Sequence, residues 1–170
     1  PPRSTLFPYT TLFRSVRARE CALILEEENR NRRVIDEETF NHASQVAAEY
    51  LDGDEQRPIV LHSNDWHPGV IGIVASRLVE KFYRPTVLLT TIDGVAKGSA
   101  RSILNFNIYE ALRRCEHLLL QFGGHKYAAG LALEIENVPE FRRCFNAVAA
   151  EMLDEDMLTH EIVEIGRAHV

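Results

Sequence analysis

The stretch PIVLHSNDWHPGVIGIVASRLVEKFYRPTVLLTTI, residues 58–92, decides the fold. It opens on "PIVLHS" (58–63), an apolar run of strand length. "HPGVIGIVASRLVEKF" (67–82) predicts a helix, with Pro68 at its first position, where a missing N–H costs nothing. "RPTVLLTTI" (84–92) predicts a second strand. A strand–helix–strand unit joined in this way is parallel with a right-handed crossover.

Toward the C-terminus, "DG" (93–94) is a hairpin signal leading into a strand at "VAKGSARS" (95–102). "NIYEALRRCEHLL" (107–119) predicts a helix, and "AGLALEI" (129–135) a strand. "NVPEFRRCFNAVAAEML" (137–153) predicts a last helix, capped by Asn137 and opened by Val138 or Pro139. Toward the N-terminus, "DGDEQRP" (52–58) is a polar breaker and the best internal boundary. Residues 16–51 are helical in pattern, with one apolar run through Ala18, Cys21, Ala22 and Leu25 and another through Phe40, Ala43, Val46, Ala47 and Tyr50. Either one long interdomain connector or a hairpin of core helices satisfies them. The sum is an α/β domain: a small mixed β-sheet flanked by helices, preceded by a long helical region.

Over the 170 residues, 45% are hydrophobic and 26% charged, which is globular composition with enough apolar material for one good core. No apolar run approaches the ~20 residues of a membrane span, so no membrane partner is expected. Cys21, Cys115 and Cys144 are scattered, with no CxxC spacing, and suit reduced, buried thiols of a cytoplasmic protein. The net charge of −6 argues against a polyanion binder that works through bulk charge, but it leaves room for a local basic groove.

The two ends read differently from the rest. "LFPYTTLFRS" (6–15) and "IGRAHV" (165–170) are what sequencing-adapter DNA would encode, so residues 1–15 are expected to be adapter-derived and disordered, and 165–170 adapter-derived. Leaving out Arg3, Arg14 and Arg167 takes the net charge from −6 to −9. The chain is then a fragment: a connector at 16–56, an α/β domain at 57–155, and the start of a further domain at 156–164.

Two stretches could carry chemistry. In "KGSARS" (97–102), a strand's period of two puts Lys97, Ser99 and Arg101 on one face. A cation, a hydroxyl and a guanidinium in a row suit a phosphate backbone, and Ser102 follows them; a solvated edge strand fits the same letters. In "GGHKYAAG" (123–130), Gly123 and Gly124 precede His125 and Lys126. This is either an ordinary turn or a phosphate cradle in which bare backbone N–H groups face an anion and the two side chains close over it. The two stretches can be sheet neighbours, with His125 and Lys126 at the end of a groove that Arg101 lines. "HSNDWH" (62–67) offers His62, Asp65 and His67, types that suit a metal, but a strand-to-helix turn with Trp66 packed beneath it serves as well. Gly69 and Gly72 lack the G-x-G-x-x-G order of a dinucleotide site and suit close helix packing. Catalytic machinery is thin: there is no G-x-S-x-G, no Walker lysine loop and no paired carboxylates.

"WHPGVIGIVASRLVEKFYRPTVLL", "KGSARS" and "FGGHKYAAG", in this order and spacing, resemble the DHHA1 lobe of the DHH phosphoesterase superfamily, in its RecJ exonuclease branch. "ARECALILEEENRNRR" is similar to the helix joining the two lobes there, and "EDMLTHEIV" to the entry of the barrel that follows. The resemblance covers residues 17–160. It implies the substrate-binding lobe of a 5′-to-3′ single-stranded-DNA exonuclease acting in recombination and repair. Mn²⁺ or Mg²⁺ would be held by an Asp-His-His lobe absent here, and no metal by this chain, which by itself would be inactive. It further implies that Gly123, Gly124, His125, Ser99, Arg101 and Ser102 hold the DNA backbone across the cleft, with Lys97 and Lys126 beside them. The implied partners are single-stranded DNA and single-strand-binding protein, and the implied state is a monomer. Leu104 stands where the family often has proline, in a turn away from the cleft. Two relatives with the same lobe remain open as alternatives, a small-nucleotide phosphodiesterase and an alanyl-tRNA synthetase-like protein.

Overall fold

The computed structural model describes residues 16–52 and 57–158. Its elements are α1 (Val16–Leu51), β1 (Ile59–His62), α2 (Ile71–Phe82), β2 (Thr86–Ile92), β3 (Val95–Arg101), α3 (Ile108–Arg114), β4 (Gln121–His125), β5 (Ala128–Glu134) and α4 (Val138–Met152). The strands form one mixed sheet in the order β1-β2-β3-β5-β4. β1 and β2 are parallel, with Ile59 opposite Thr86, and α2 makes the crossover. The other pairings are antiparallel. Asp93 and Gly94 take φ values of 50° and 80°, the two positive angles that let a two-residue turn follow the strand twist.

Side-chain alternation splits the sheet between two cores. On one face Val60, Val87, Leu89, Leu131 and Leu133 meet Ile108 and Leu112 of α3 and Phe141 and Phe145 of α4. On the other, Ile59, Leu61 and Leu88 meet Val74 and Leu78 of α2 and Ala43 and Ala47 of α1. Buried positions on α2 recur at 71, 74, 75 and 78, one stripe of a 3.6-residue helix. Sheet residues of this second core come from β1 and β2 alone. Over β5, β4 and the Lys97 end of β3 the same face is open: Lys97, Gln121, Gly123, His125 and Gly130 are all exposed.

Residues 16–51 form one continuous helix, so the helix-hairpin arrangement does not occur. The C-terminal half of α1 docks on α2. Arg77 bonds Asp36 at 2.9 Å and Glu37 at 3.1 Å, and its guanidinium lies 3.7 Å from the Phe40 ring centroid. Among residues 17–34 nearly all are exposed.

Three local expectations need correction. Pro68 does not open α2. It sits in a turn in which the His67 ring accepts the Gly69 N–H at 3.0 Å and the His67 carbonyl accepts the Val70 N–H, and the helix starts only at Ile71. Asn137 precedes α4 but makes no side-chain cap bond. Its backbone is helical (φ −83°, ψ −9°) because it closes a 3-10 turn, whereas a capping side chain needs an extended backbone. Finally, residues 121–125 form a fifth strand where the glycine-rich sequence suggested a loop. Pairing with β5 imposes that strand despite the low strand propensity of Gly-Gly. Residues 1–15, most of the 52–58 breaker and residues 159–170 lie outside the described residues. Among the described residues no helix is long and apolar enough to cross a membrane.

Candidate nucleic-acid interface

Register builds the open face in rows. Lys97 pairs with Ala132, which pairs with Gln121; Ser99 with Gly130, which pairs with Gly123; and Arg101 with Ala128, which pairs with His125. Directly opposed residues share a face, so the polar side chains of β3 stand along one side, and Gln121 and His125 of β4 along the other. Between them β5 contributes only Ala128, Gly130 and Ala132. The result is a trough two strand spacings wide, about 10 Å, with a floor of small residues. A depression of about 450 Å³ lies over Lys97, Gln121, Gly123 and Gly130. A second, of about 470 Å³, continues past Lys97, Ser99 and Arg101 to Gly69 and Gly72 at the start of α2.

Arg101 is the best-defined cation of the face. Its Nε donates to Ser76 Oγ at 3.2 Å, and its Nη1 to Ser99 Oγ at 2.8 Å and to the Ala100 carbonyl at 2.9 Å. Burial lowers its pKa from the ordinary guanidinium value. The cation persists nonetheless, since arginine does not deprotonate at physiological pH. No carboxylate pairs with it among the described residues. A half-buried guanidinium whose acceptors are all neutral keeps its full charge for an anion. Gly72 makes room for it: a Cβ there would lie 3.0 Å from Arg101 Nη2 and 3.2 Å from Ser99 Oγ.

The remaining candidates divide. Lys97, Ser99, Arg101, Gly123 and His125 come together on the trough. Gly124 points to the opposite face and is fixed by space: at φ 150°, a Cβ would lie 2.3 Å from the Ala128 carbonyl oxygen. Lys126 is in the β4–β5 turn with its Nζ 5.1 Å from the Tyr127 ring centroid, and its carbonyl accepts the Ile108 N–H. Ser102 lies beyond the end of β3, where its hydroxyl donates to the Phe106 carbonyl at 2.8 Å and its N–H to the Tyr127 carbonyl. β3 and β4 are not sheet neighbours, since β5 lies between them. Ser76 and Gln121 belong to the face but were not singled out in the sequence, whereas Gly72, read there as a close-packing residue, does lie against Ser99 and Arg101. The available signal was a hydroxyl at position 76, one turn after Gly72, on a helix that must pack on a sheet.

"HSNDWH" forms the strand-to-helix turn. Trp66 is buried and donates to His42 at 3.2 Å, while His62 Nε2 lies 3.0 Å from Thr91 Oγ1. Among the described residues no three His, Cys, Asp or Glu side chains come together as a metal-binding group. The donor set of the described residues therefore does not fit a divalent metal.

The five-stranded mixed sheet, its helices and the long helix before them agree with the comparisons to known proteins. Residues 44–151 match the DHHA1 domain family, and the chain belongs to that family. Its relatives carry the name RecJ. The chain is 40% identical over 144 residues to the single-stranded-DNA-specific exonuclease RecJ of Bacillus subtilis, covering 84% of this chain and 18% of that protein. It is 36% identical over 149 residues to the RecJ of Haemophilus influenzae, covering 84% and 26%. Among solved structures, exonuclease RecJ bound to manganese superposes with a TM-score of 0.69 at 37% identity, over 81% of this chain and 33% of that one. RecJ from Thermus thermophilus in complex with Mg²⁺ gives 0.67 at 36%, over 85% and 22%. The chain thus spans a third or less of the length of each of these proteins.

Proposed function

We propose that this chain is the substrate-holding lobe of a 5′-to-3′ single-stranded-DNA exonuclease. The trough on β3, β5 and β4 seats the phosphate backbone of one strand against a metal-bearing lobe supplied by the rest of the protein. Arg101 and Lys97 carry the positive charge on one wall, and His125 stands opposite. Gly123 and Gly130 let the strand approach the sheet backbone. The Mn²⁺ and Mg²⁺ named in the RecJ structures would belong to the other lobe. On this reading the protein works in the cytoplasm as a monomer, on DNA that single-strand-binding protein also coats.

The observation that carries the proposal is Arg101: a partly desolvated guanidinium, fixed by two hydroxyls and one carbonyl, with no acid beside it among the described residues and an open depression in front. Structural arginines of the same chain behave otherwise, as Arg77 does with Asp36 and Glu37. Fluorescence anisotropy of the chain with single-stranded and duplex DNA over a salt series tests it. Binding should favour single strands and fall with salt, with a log–log slope near −0.7 per phosphate contacted. Arg101→Ala and His125→Ala, each folded by circular dichroism, should both weaken it. A folded chain that ignores single-stranded DNA at low salt would remove the trough from consideration.

A further inference from the structure

We infer that Ser76 of α2 is a positioning residue, which aims the Arg101 guanidinium at its phosphate without touching the DNA itself. The inference rests on the trough reading above. A guanidinium has five N–H donors. Three are engaged by protein: Nε by Ser76 Oγ, and both N–H groups of Nη1 by Ser99 Oγ and the Ala100 carbonyl. The two on Nη2 have no acceptor among the described residues, and Nη2 lies over the gap that Gly72 leaves. That gap lines the depression shared by Gly69, Gly72, Lys97, Ser99 and Arg101. The protein thus holds one edge of the fork and presents the other.

Ser76 is suited to this by the direction of its own proton. Its hydroxyl donates to the Gly72 carbonyl at 3.2 Å, one turn earlier. A hydroxyl has one donor and two lone pairs. With the proton committed to Gly72, the lone pairs face Arg101 Nε. Ser99 shares a strand and a face with Arg101 and would follow it in any movement of β3. Ser76 is the contact from a second element, so it fixes the side chain relative to the body of the domain. An arginine released from such a contact regains several rotatable bonds, which DNA must then immobilise.

Fold stability does not call for a serine here. Alanine is the better helix former, and the bond back to the i−4 carbonyl slightly disfavours the helix. Ser76→Ala is therefore expected to keep or raise the melting temperature while weakening binding, a separation that a packing role would not produce.

The test uses the full chain and a fluorescein-labelled oligo(dT) strand at low salt. Ser76→Ala should bind about tenfold more weakly, the size expected for a lost hydrogen bond to a charged group. Ser76→Thr, which keeps the hydroxyl, should restore most of the affinity. In an Arg101→Ala background Ser76→Ala should change nothing further. In the ¹H–¹⁵N spectrum of the DNA-free chain, the Arg101 Nε–H resonance should be resolved in the parent and in Ser76→Thr, and lost to exchange in Ser76→Ala. Wild-type affinity in Ser76→Ala beside a weakened Arg101→Ala would overturn the positioning role and leave the trough intact. A lowered melting temperature without rescue by threonine would also overturn it, in favour of packing. Undiminished binding by Arg101→Ala, or no binding by the folded parent, would remove the trough and the inference together.

Discussion

Arg101 and His125 face each other across a single residue, Ala128, with which both are in register. Neither is held by the other, and the methyl group between them is too short to fill the space. The same relationship repeats along the sheet, with Ser99 and Gly123 on either side of Gly130, and Lys97 and Gln121 on either side of Ala132. A gap of about 10 Å between opposed side-chain rows suits one extended polynucleotide strand, and the small residues of β5 keep its floor at backbone level. On the proposed function, selectivity for a single strand would follow from the width of the trough and the position of its cations, with no base-specific contact required.

The two adjacent glycines of β4 should separate in their effects. A Cβ on Gly124 would lie 2.3 Å from a backbone oxygen and 2.5 Å from Ala129 Cα, at a backbone angle that disfavours any side chain. Gly124→Ala should destabilise the chain by more than about 1 kcal/mol and lower the melting temperature measured by circular dichroism. A Cβ on Gly123 would meet nothing within 4 Å. Gly123→Ala should melt with the parent and lose affinity for single-stranded DNA only. Equal destabilisation by both would mean that β4 needs each glycine for its own geometry.

Lys97 is exposed at the wall shared by both depressions. Lys97→Ala should weaken binding evenly across DNA sequences and reduce the magnitude of the salt slope by about 0.7, one phosphate contact. Its melting temperature should match the parent, because an exposed lysine has little packing to lose. An unchanged slope would place the DNA on the Arg101 side of the trough alone.

The parallel strand–helix–strand unit, the DG hairpin and the two later helices were legible because their apolar residues follow the period of one element. α2 shows this most clearly, with its buried stripe at 71, 74, 75 and 78. β4 was not legible. Its sequence, QFGGH, has one large apolar residue and no alternation, and only pairing with β5 makes it a strand. The side shared by Lys97, Ser99 and Arg101 was readable from a period of two within β3. That His125 joins them across β5 was not, since register between strands depends on a turn and a pairing that no local pattern encodes. Ser76 escaped for a related reason. Its importance lies in what β3 brings to it, and within α2 it looks like an ordinary small residue.

Thiol chemistry should distinguish Cys115 from Cys21. Cys144 Sγ lies 3.1 Å from Cys115 Sγ, and Cys115 is fully buried beneath α4. Burial first, and the neighbouring Cys144 second, push the Cys115 thiol well above the usual range. The thiolate is the reactive form, so Cys115 should resist alkylation by iodoacetamide at pH 8. Cys21 is exposed on α1 rather than buried as its sequence suggests, because nearly all of residues 17–34 are exposed, and it should be modified within the mixing period of a mass-spectrometric time course. Rapid modification of Cys115 in the folded chain would show that α3 and α4 separate readily.

Stability should depend on pH through His62. This residue ends β1, half-buried, with Nε2 3.0 Å from Thr91 Oγ1. Thr91 gives its own proton to Asn64 at 2.6 Å, so its lone pairs face the ring and His62 donates. Burial, and then the positive charge of Arg142, lower the His62 pKa below 6.5. The unfolded chain therefore binds this proton more readily than the folded one. Above about pH 6.5 both states are neutral and the residue has no effect on the balance. As the pH falls below that value the unfolded state gains a proton that the folded state resists, and stability is lost until the folded pKa is passed. The melting temperature should thus hold from pH 7.5 to about pH 6.5 and decline below it, and His62→Gln should flatten that decline. Glu110, held below the ordinary carboxylate range chiefly by its hydrogen bond from Arg113, acts in a separate window. Its contribution is present above the unfolded carboxylate pKa of about 4.3 and is lost only as the pH falls further. Melting curves recorded by circular dichroism at half-unit intervals would resolve the two. A decline that persists unchanged in His62→Gln would assign the acid sensitivity to other groups.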